Sequence, residues 1–184
     1  NICFVSSTRA DYSLLLPSIK ECLSRKGKGV KTSVIVTGSH LLKSQGETIN
    51  HFKTDKIPIS YSFKIFDKTD SKGVKDNFKK SFDGFFAAYE KIKPDVVVLL
   101  GDRYEIFCAA VTGHMKNIKV VHLHGGELTL GAYDDAYRHS ISKFSYLHFT
   151  ASKNYRRRVV QLGENPRKVF NVGPLAKEAI SNVK

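Results

Sequence analysis

The feature that most constrains this fold is the run Val96-Val97-Val98-Leu99-Leu100, introduced by Pro94-Asp95 and stopped by Gly101-Asp102-Arg103. A strand with one face in water alternates apolar and polar residues, whereas an unbroken apolar run bounded by turn residues suits a strand buried on both faces of a parallel sheet. Parallel neighbours need crossover connections, and helices supply them.

The rest of the chain has the expected alternation. Ile2 to Ser6 reads as a strand, followed by a turn and a helix from Asp11. The β-branched stretch Val30 to Val36 reads as a second strand, ending at Thr37-Gly38-Ser39-His40, where a loop and a helix begin. Residues 51–72 are mixed and lysine-rich, with Ile57-Pro58-Ile59 and Phe63 to Phe66 as weak strand candidates. Phe78, Phe82, Phe85, Phe86 and Tyr89 then fall at helical spacing and read as a core stripe. Further along, helix Glu105–Met115, strand Val120–Leu123, helix Asp135–Phe144, strand Tyr146–Thr150 and helix Lys153–Leu162 lead to Val169–Val172 and Gly173-Pro174. The expectation is one α/β domain, a Rossmann-like parallel sheet with helices on both faces.

Composition narrows the function classes. At 184 residues, 41% hydrophobic and 26% charged, the chain can bury a substantial core. No stretch approaches the ~20 apolar residues of a membrane span, and the start shows no basic leader, so a protein retained in the cytoplasm is expected. Cys3, Cys22 and Cys108 are scattered without CxxC spacing, which indicates neither a disulfide framework nor a zinc site and reads as buried thiols. The net charge of +13 calls for anionic partners. Most of it reads as solvated surface, although Arg156-Arg157-Arg158 forms a dense run and keeps a polyanion- or RNA-binding module open as a rival. Exposed aromatics interleaved with Lys and Arg are not evident, and that counts against the rival.

Chemistry-bearing residues gather just after predicted strands: Thr8-Arg9, His40, Asp102-Arg103 and Glu127. In an open α/β sheet that edge is where ligands bind. Asp102 there is either a general acid or base beside a permissive glycine, or simply a helix cap. His122-Leu123-His124-Gly125-Gly126-Glu127 puts two imidazoles and a carboxylate around a loop that can approach a ligand closely. Metal ligation is the lesser reading of that loop, and His122 reads as a satisfied core residue. In Asp134-Asp135-Ala136-Tyr137-Arg138-His139 the acids suit a helix start, while Asp135, Arg138 and His139 share one helix face and Asp134 is freer to face a cleft. Neither a GxGxxG fingerprint nor a Walker loop occurs, so a phosphate would rest on arginines and helix amino termini.

Six blocks carry a resemblance: Ser7-Thr8-Arg9-Ala10-Asp11-Tyr12, Val36-Thr37-Gly38-Ser39-His40-Leu41, Leu100-Gly101-Asp102-Arg103-Tyr104-Glu105, His122 to Thr129, Asp134 to Ile141, and Phe170-Asn171-Val172-Gly173. In that order they resemble the hydrolysing UDP-N-acetylglucosamine 2-epimerases of the bacterial sialic acid and capsule branch. The resemblance implies a two-domain glycosyltransferase-B-like fold, of which residues 1–184 are the amino-terminal domain. It places the carboxy-terminal UDP-binding domain outside this chain and leaves the isolated half inactive or nearly so. It implies elimination of UDP to a 2-acetamidoglucal, then hydration to N-acetylmannosamine, with no cofactor and no metal. By motif, Asp102, Glu127, Asp134 and His124 are expected to be catalytic, and Arg9, His40, Arg103, Arg138 and His139 to line the substrate cleft. Several relatives have a glutamate where this chain has His124, so either His124 or Glu127 fills that role. The implied partners are a UDP-sugar and further copies of the chain in a dimer or tetramer, with no nucleic acid and no membrane. Three other readings stay open: the same chemistry on a UDP-2,4-diacetamido-trideoxy sugar of the legionaminic acid pathway, a non-hydrolysing epimerase of the same fold, and the basic binding module.

Overall fold

In the computed structural model the described residues are 1–65, 71–129, 131 and 134–177. Among these described residues seven strands form one sheet: β1 (Ile2–Ser6), β2 (Thr32–Val36), β3 (Tyr61–Ser62), β4 (Val96–Leu100), β5 (Lys119–Leu123), β6 (Leu147–Thr150) and β7 (Val169–Asn171). Their order is β3-β2-β1-β4-β5-β6-β7, and every neighbouring pair is parallel. The helices are α1 (Arg9–Ser24), α2 (Asn50–Thr54), α3 (Ser71–Ile92), α4 (Tyr104–Met115), α5 (Asp134–Phe144) and α6 (Lys153–Gln161).

The chain runs leftward from β1 to β2 and rightward from β3 through β4 to β7. Right-handed crossovers therefore put α1 on one face and α3 to α6 on the other. Alternation along the strands matches this division. Cys3, Val5, Val97, Leu99 and Val120 pack with Phe85, Tyr89, Ile106 and Ile141 of α3, α4 and α5. Phe4, Val34, Val98, Val121 and Leu123 face the side of Tyr12, Leu15, Ile19 and Phe52 from α1 and α2. The apolar run over β4 is thus buried from both sides because it sits mid-sheet between β1 and β5.

The weak strand candidates came out differently. The short edge strand is Tyr61–Ser62, pairing with Ile35 and Val36 of β2, while residues 57–59 and 63–65 are irregular. Phe66, the end of one candidate, lies outside the described residues. Phe63 is instead drawn into ring contact with Phe85, at 4.9 Å between centroids, over the gap left by Gly84. From Gly38 the chain makes two 3-10 turns, Gly38–Leu41 and Lys43–Gln45, before α2, and Gly46 with its positive φ caps the second. Cys3 and Cys108 are buried, and Cys22 is only partly so.

Leu99 has no exposed surface, lies beside His122 of β5 and belongs to the core cluster under α3 to α5. Leu99→Ala is expected to cost ~2–5 kcal/mol of stability, measured by urea unfolding, through lost transfer energy plus the cavity left behind.

Candidate active site

With all strands parallel, every carboxyl end lies on one rim, and the loops there are β1–α1, β2 to its 3-10 turn, β4–α4 and β5–α5. Two arrangements occupy this rim. The first centres on Arg138 of α5, whose side chain is 6% exposed. Its Nη2 donates to Asp102 Oδ2 and to Thr129 Oγ1 at 3.2 Å, and its Nη1 donates to the His124 carbonyl at 3.3 Å and Glu127 Oε2 at 3.4 Å. Asp135 Oδ1 lies 3.9 Å from Nε and accepts the Thr129 N–H at 2.9 Å. One buried guanidinium thus ties the β4 loop, the β5 loop and the start of α5 together.

The carboxylates around it are not equivalent. Burial pushes the Asp102 carboxyl above the usual carboxylate range; Arg138 opposes this, and the charges of Asp134, Asp135 and Glu127 add to it. Burial also pushes Glu127 up, but a hydrogen bond from His124 and the charges of His124 and Arg138 outweigh it and hold the group low. Two carboxyls displaced in opposite directions within one cluster form an arrangement that holds an acid and a base side by side.

The β5–α5 loop is shaped by backbone geometry. His124 has φ of +62°, unusual for a side chain other than glycine, and its N–H donates to the Phe149 carbonyl at 2.9 Å. Its Nδ1 lies 3.1 Å from Glu127 Oε1, and its Nε2 accepts the Leu175 N–H at 3.3 Å. Gly126 has φ of +78°, and any Cβ there would overlap the Tyr155 carbonyl on α6. The Gly126 carbonyl accepts from Arg158 on that same helix. His122 is fully buried, with Nε2 donating to the Gly101 carbonyl at 2.8 Å and Nδ1 accepting from Ser142 Oγ at 3.0 Å. Burial lowers its pKa to about 3, so it is a neutral scaffold residue.

The second arrangement is a cavity of about 650 Å³ beside the cluster, lined by Thr8, Arg9, Gly38, Ser39, Thr48 and Arg103 among others. Asp102 turns toward Arg138 while its neighbour Arg103 lines this cavity and pairs with the buried Glu105 at 2.5 Å. The floor is pinned by Asp11, whose Oδ2 accepts from the N–H groups of Ser7 (3.0 Å) and Thr8 (2.8 Å) and from both hydroxyls, while Oδ1 accepts from Ser6. Thr8 caps α1 in return. Gly38, at φ of +61°, lets the β2 loop come in so close that a Cβ would lie 2.5 Å from the Ser7 carbonyl.

His40 differs from expectation. It has no exposed surface; Nε2 is 2.9 Å from Ser6 Oγ, Nδ1 is 2.7 Å from Thr48 Oγ1, and the ring packs on Tyr12 and Phe52. It sits beneath the cavity and supports it, since the apolar side of α1 and α2 draws the ring inward. Arg9 and Arg103 line the cavity directly, whereas Arg138 lies buried in the cluster. Asp134 opens α5 half-buried and within electrostatic reach of Asp102. His139 is half-buried on α5, and its Nδ1 has no hydrogen-bond partner among the described residues. In the run at Arg156, Arg156 donates to the Val169 and Pro166 carbonyls and Arg158 to Gly126, while Arg157 is exposed. Sequence reading missed Asp11, Arg158 and Leu175 as supports. Only Asp11 carried a signal, as the third helical residue after a threonine cap. Among the described residues, no group of three His, Cys, Asp or Glu side chains could hold a metal ion, and no helix is long and apolar enough to cross a membrane.

Two predictions follow from the electrostatics. Arg138→Met should move the Asp102 and Glu127 titrations upward in carboxyl ¹³C NMR and cost ~3–5 kcal/mol in urea unfolding, because it leaves buried carboxylates unpaired. His40, whose pKa burial lowers to about 4, contributes stability that is present above its ordinary 6.5 and lost as pH falls toward 4. His40→Gln should therefore flatten the stability profile across that window, where the wild type loses on the order of 3 kcal/mol.

Comparison with known proteins bears on the family and the fold. The sequence model of the family described as UDP-N-acetylglucosamine 2-epimerase matches residues 23–184. A Campylobacter jejuni protein named GDP/UDP-N,N'-diacetylbacillosamine 2-epimerase (hydrolyzing) is 42% identical over 187 residues, covering 99% of this chain and 47% of that protein. The Escherichia coli polysialic acid biosynthesis protein P7 is 36% identical, covering 96% of this chain and 45% of its own length. The Neisseria meningitidis UDP-GlcNAc 2-epimerase solved with UDP-GlcNAc bound superposes with a TM-score of 0.84 at 21% identity, covering 98% of this chain and 48% of that one. The chain spans about half the length of the curated relatives it matches.

Proposed function

The chain belongs to the UDP-N-acetylglucosamine 2-epimerase family, and from that membership we propose that it supplies the catalytic amino-terminal half of a hydrolysing 2-epimerase acting on a UDP-linked 2-acetamido sugar. The observation that carries this reading is the cluster in which Arg138 gathers Asp102 and Glu127 from separate loops while their carboxyls are displaced in opposite directions. Residues 1–184 are the first domain, and the uridine is held by the remaining length that the relatives possess. The product serves sialic acid or capsule precursor synthesis in the cytoplasm, and the working enzyme is a homo-oligomer that needs neither metal nor nucleic acid.

In this reading Glu127, kept ionised and backed by His124, removes the proton at sugar carbon 2. The C1–O bond to UDP breaks, the electron pair leaves with the diphosphate, and a C1=C2 double bond forms. Water then adds its hydroxyl to carbon 1, while Asp102, inclined to hold a proton, returns one to carbon 2 on the opposite face; the proton left by the water restores Asp102, and Glu127 releases its own to solvent. The products are the epimeric 2-acetamido sugar and UDP. Asp134 tunes Asp102, and Arg9 and Arg103 stabilise the departing diphosphate from the neighbouring cavity. Arg138 and His139 line the sugar side, and His40 holds the cavity floor.

The 42% identity to a diacetylbacillosamine epimerase favours a second reading in which the substrate carries acetamido groups at carbons 2 and 4. Incubating the full-length protein with each UDP-sugar, and measuring UDP and free sugar, separates the two. Asp102→Asn and Glu127→Gln should each lower kcat about 10²–10⁴-fold, the range for a lost general acid or base. Undiminished turnover in either variant would refute that residue's role.

A further inference from the structure

One turn of backbone, at Gly101, aims both Asp102 and Arg103, and it is held by a side chain. The β4–β5 ladder runs in register to Leu100 and Leu123, and the Gly101 N–H still donates to the Leu123 carbonyl at 3.2 Å. A further parallel rung would take the Gly101 carbonyl to an N–H two residues beyond Leu123. The chain turns away there, since His124 has φ of +62° and gives its N–H to the Phe149 carbonyl. The imidazole of His122 stands in, with Nε2 lying 2.8 Å from the Gly101 carbonyl oxygen. A carbonyl can only accept, so Nε2 carries the proton. Nδ1 is then the bare nitrogen and accepts from Ser142 Oγ at 3.0 Å.

Ser142 and Arg138 share a face of α5 at a spacing of four, and both are buried. α5 therefore holds Asp102 twice, by its carboxylate through Arg138 and by the preceding peptide through Ser142 and His122. His122 and Ser142 have no exposed surface, so bulk water does not compete for this second hold. Gly125 belongs to the same arrangement. It does not adopt a positive φ, yet a Cβ there would lie 3.0 Å from His122 Nδ1 and 3.1 Å from Ser142 Oγ. The loop that carries Glu127 is thus packed directly onto the hydrogen bond between them. Burial lowers the His122 pKa to about 3, so the ring stays neutral and its donor and acceptor ends keep their places near neutral pH.

We infer that His122 is a positioning residue for the epimerase chemistry: with Ser142 behind it, it fixes the Gly101–Asp102 peptide and so the direction in which Asp102 presents its proton. This rests on the role proposed above for Asp102. Position matters because proton transfer requires the acid within hydrogen-bond reach of the carbon, and a displacement of ~1 Å can cost about 100-fold in rate. An apolar side chain would fill the same space but leave the Gly101 carbonyl without its donor.

Two amide side chains separate this hold from mere packing. Glutamine places its amide nitrogen about where histidine has Nε2, whereas asparagine reaches only as far as Nδ1. In the full-length protein His122→Asn should lower kcat about 10–100-fold with KM changed less than about 3-fold, and His122→Gln should recover most of that loss, although both remove the ring and melt alike. In carboxyl ¹³C NMR the Asp102 titration should fall toward the ordinary carboxylate range in His122→Asn, because the released side chain gains water, while that of Glu127 stays in place. Equal kcat in the two variants, or an Asp102 titration unmoved in His122→Asn, would overturn the proposal. Should the variants not fold, the wild type still decides: long-range ¹H–¹⁵N NMR is expected to show a neutral His122 with its proton on Nε2, and an Nδ1–H tautomer would equally overturn it. The NMR readouts need no turnover, so absent epimerase activity with these signals in place would count against the proposed function alone.

Discussion

The site depends on a single buried cation. Arg138 is almost wholly removed from water, and a guanidinium in that position needs its charge balanced and its terminal donors satisfied, which leaves Nε with an ion-pair contact alone. It finds Asp102, Glu127, Asp135, Thr129 and the His124 carbonyl, which arrive from three separate segments. At ~4 Å and an effective dielectric of about 20, each charge pair is worth about 4 kcal/mol before the desolvation of both partners is set against it. The two are of similar size, so the cluster adds little net stability. What it determines is position: removing the cation would leave carboxylates that repel one another across the rim. A parallel sheet makes this economical, because all strand ends emerge on the same side and one side chain of α5 can reach two loops.

Around that cation the backbone is held in conformations that do not arise by default. His124 sits in the left-handed region, a cost of roughly 1–2 kcal/mol for a residue with a Cβ. Its N–H bond to Phe149, the contact with Glu127 and the bond from Leu175 offset it. Gly126 then brings the loop against α6, where Arg158 takes its carbonyl. The orientation of Glu127 is therefore set from both sides, by α5 through Arg138 and by the end of β7 through His124.

The alternation of elements was readable because it is local: apolar runs, glycine stops and helical spacing are properties of short windows. So was the rim, since strand ends are positions along the chain. Burial within a loop was not readable. His40 follows a strand in the same manner as Asp102, yet one turns under α1 and α2 while the other meets Arg138. The difference lies in partners, Ser6, Thr48 and Phe52 against Arg138, that are distant in sequence. The arginine run is a related case. Side-chain charge is visible in a sequence, but the carbonyls of Pro166, Val169 and Gly126 that capture it are not. The edge strand also escaped a period-based reading, because two residues pairing with β2 make too short a pattern.

Asp102 and Arg103 are consecutive, yet they divide the rim into regions of opposite sign. On the side of Asp102 are Glu127, Asp134 and Asp135 with Arg138 among them; on the other, Arg9 and Arg103 line the open cavity. The turn at Gly101, with φ of +84°, makes this possible by letting successive side chains point into different pockets. On the proposed chemistry such a divide matches the substrate's own polarity. Proton transfer occurs at a neutral sugar carbon and calls for carboxyls, whereas negative charge accumulates on the departing diphosphate and calls for guanidinium groups. Elimination carries charge from one end toward the other, and an environment already polarised in that sense stabilises the charge-separated transition state more than the ground state. On the same proposal, the +13 of these residues contributes a long-range attraction for an anionic nucleotide-sugar, while discrimination at the reacting carbon rests with the few groups gathered by Arg138.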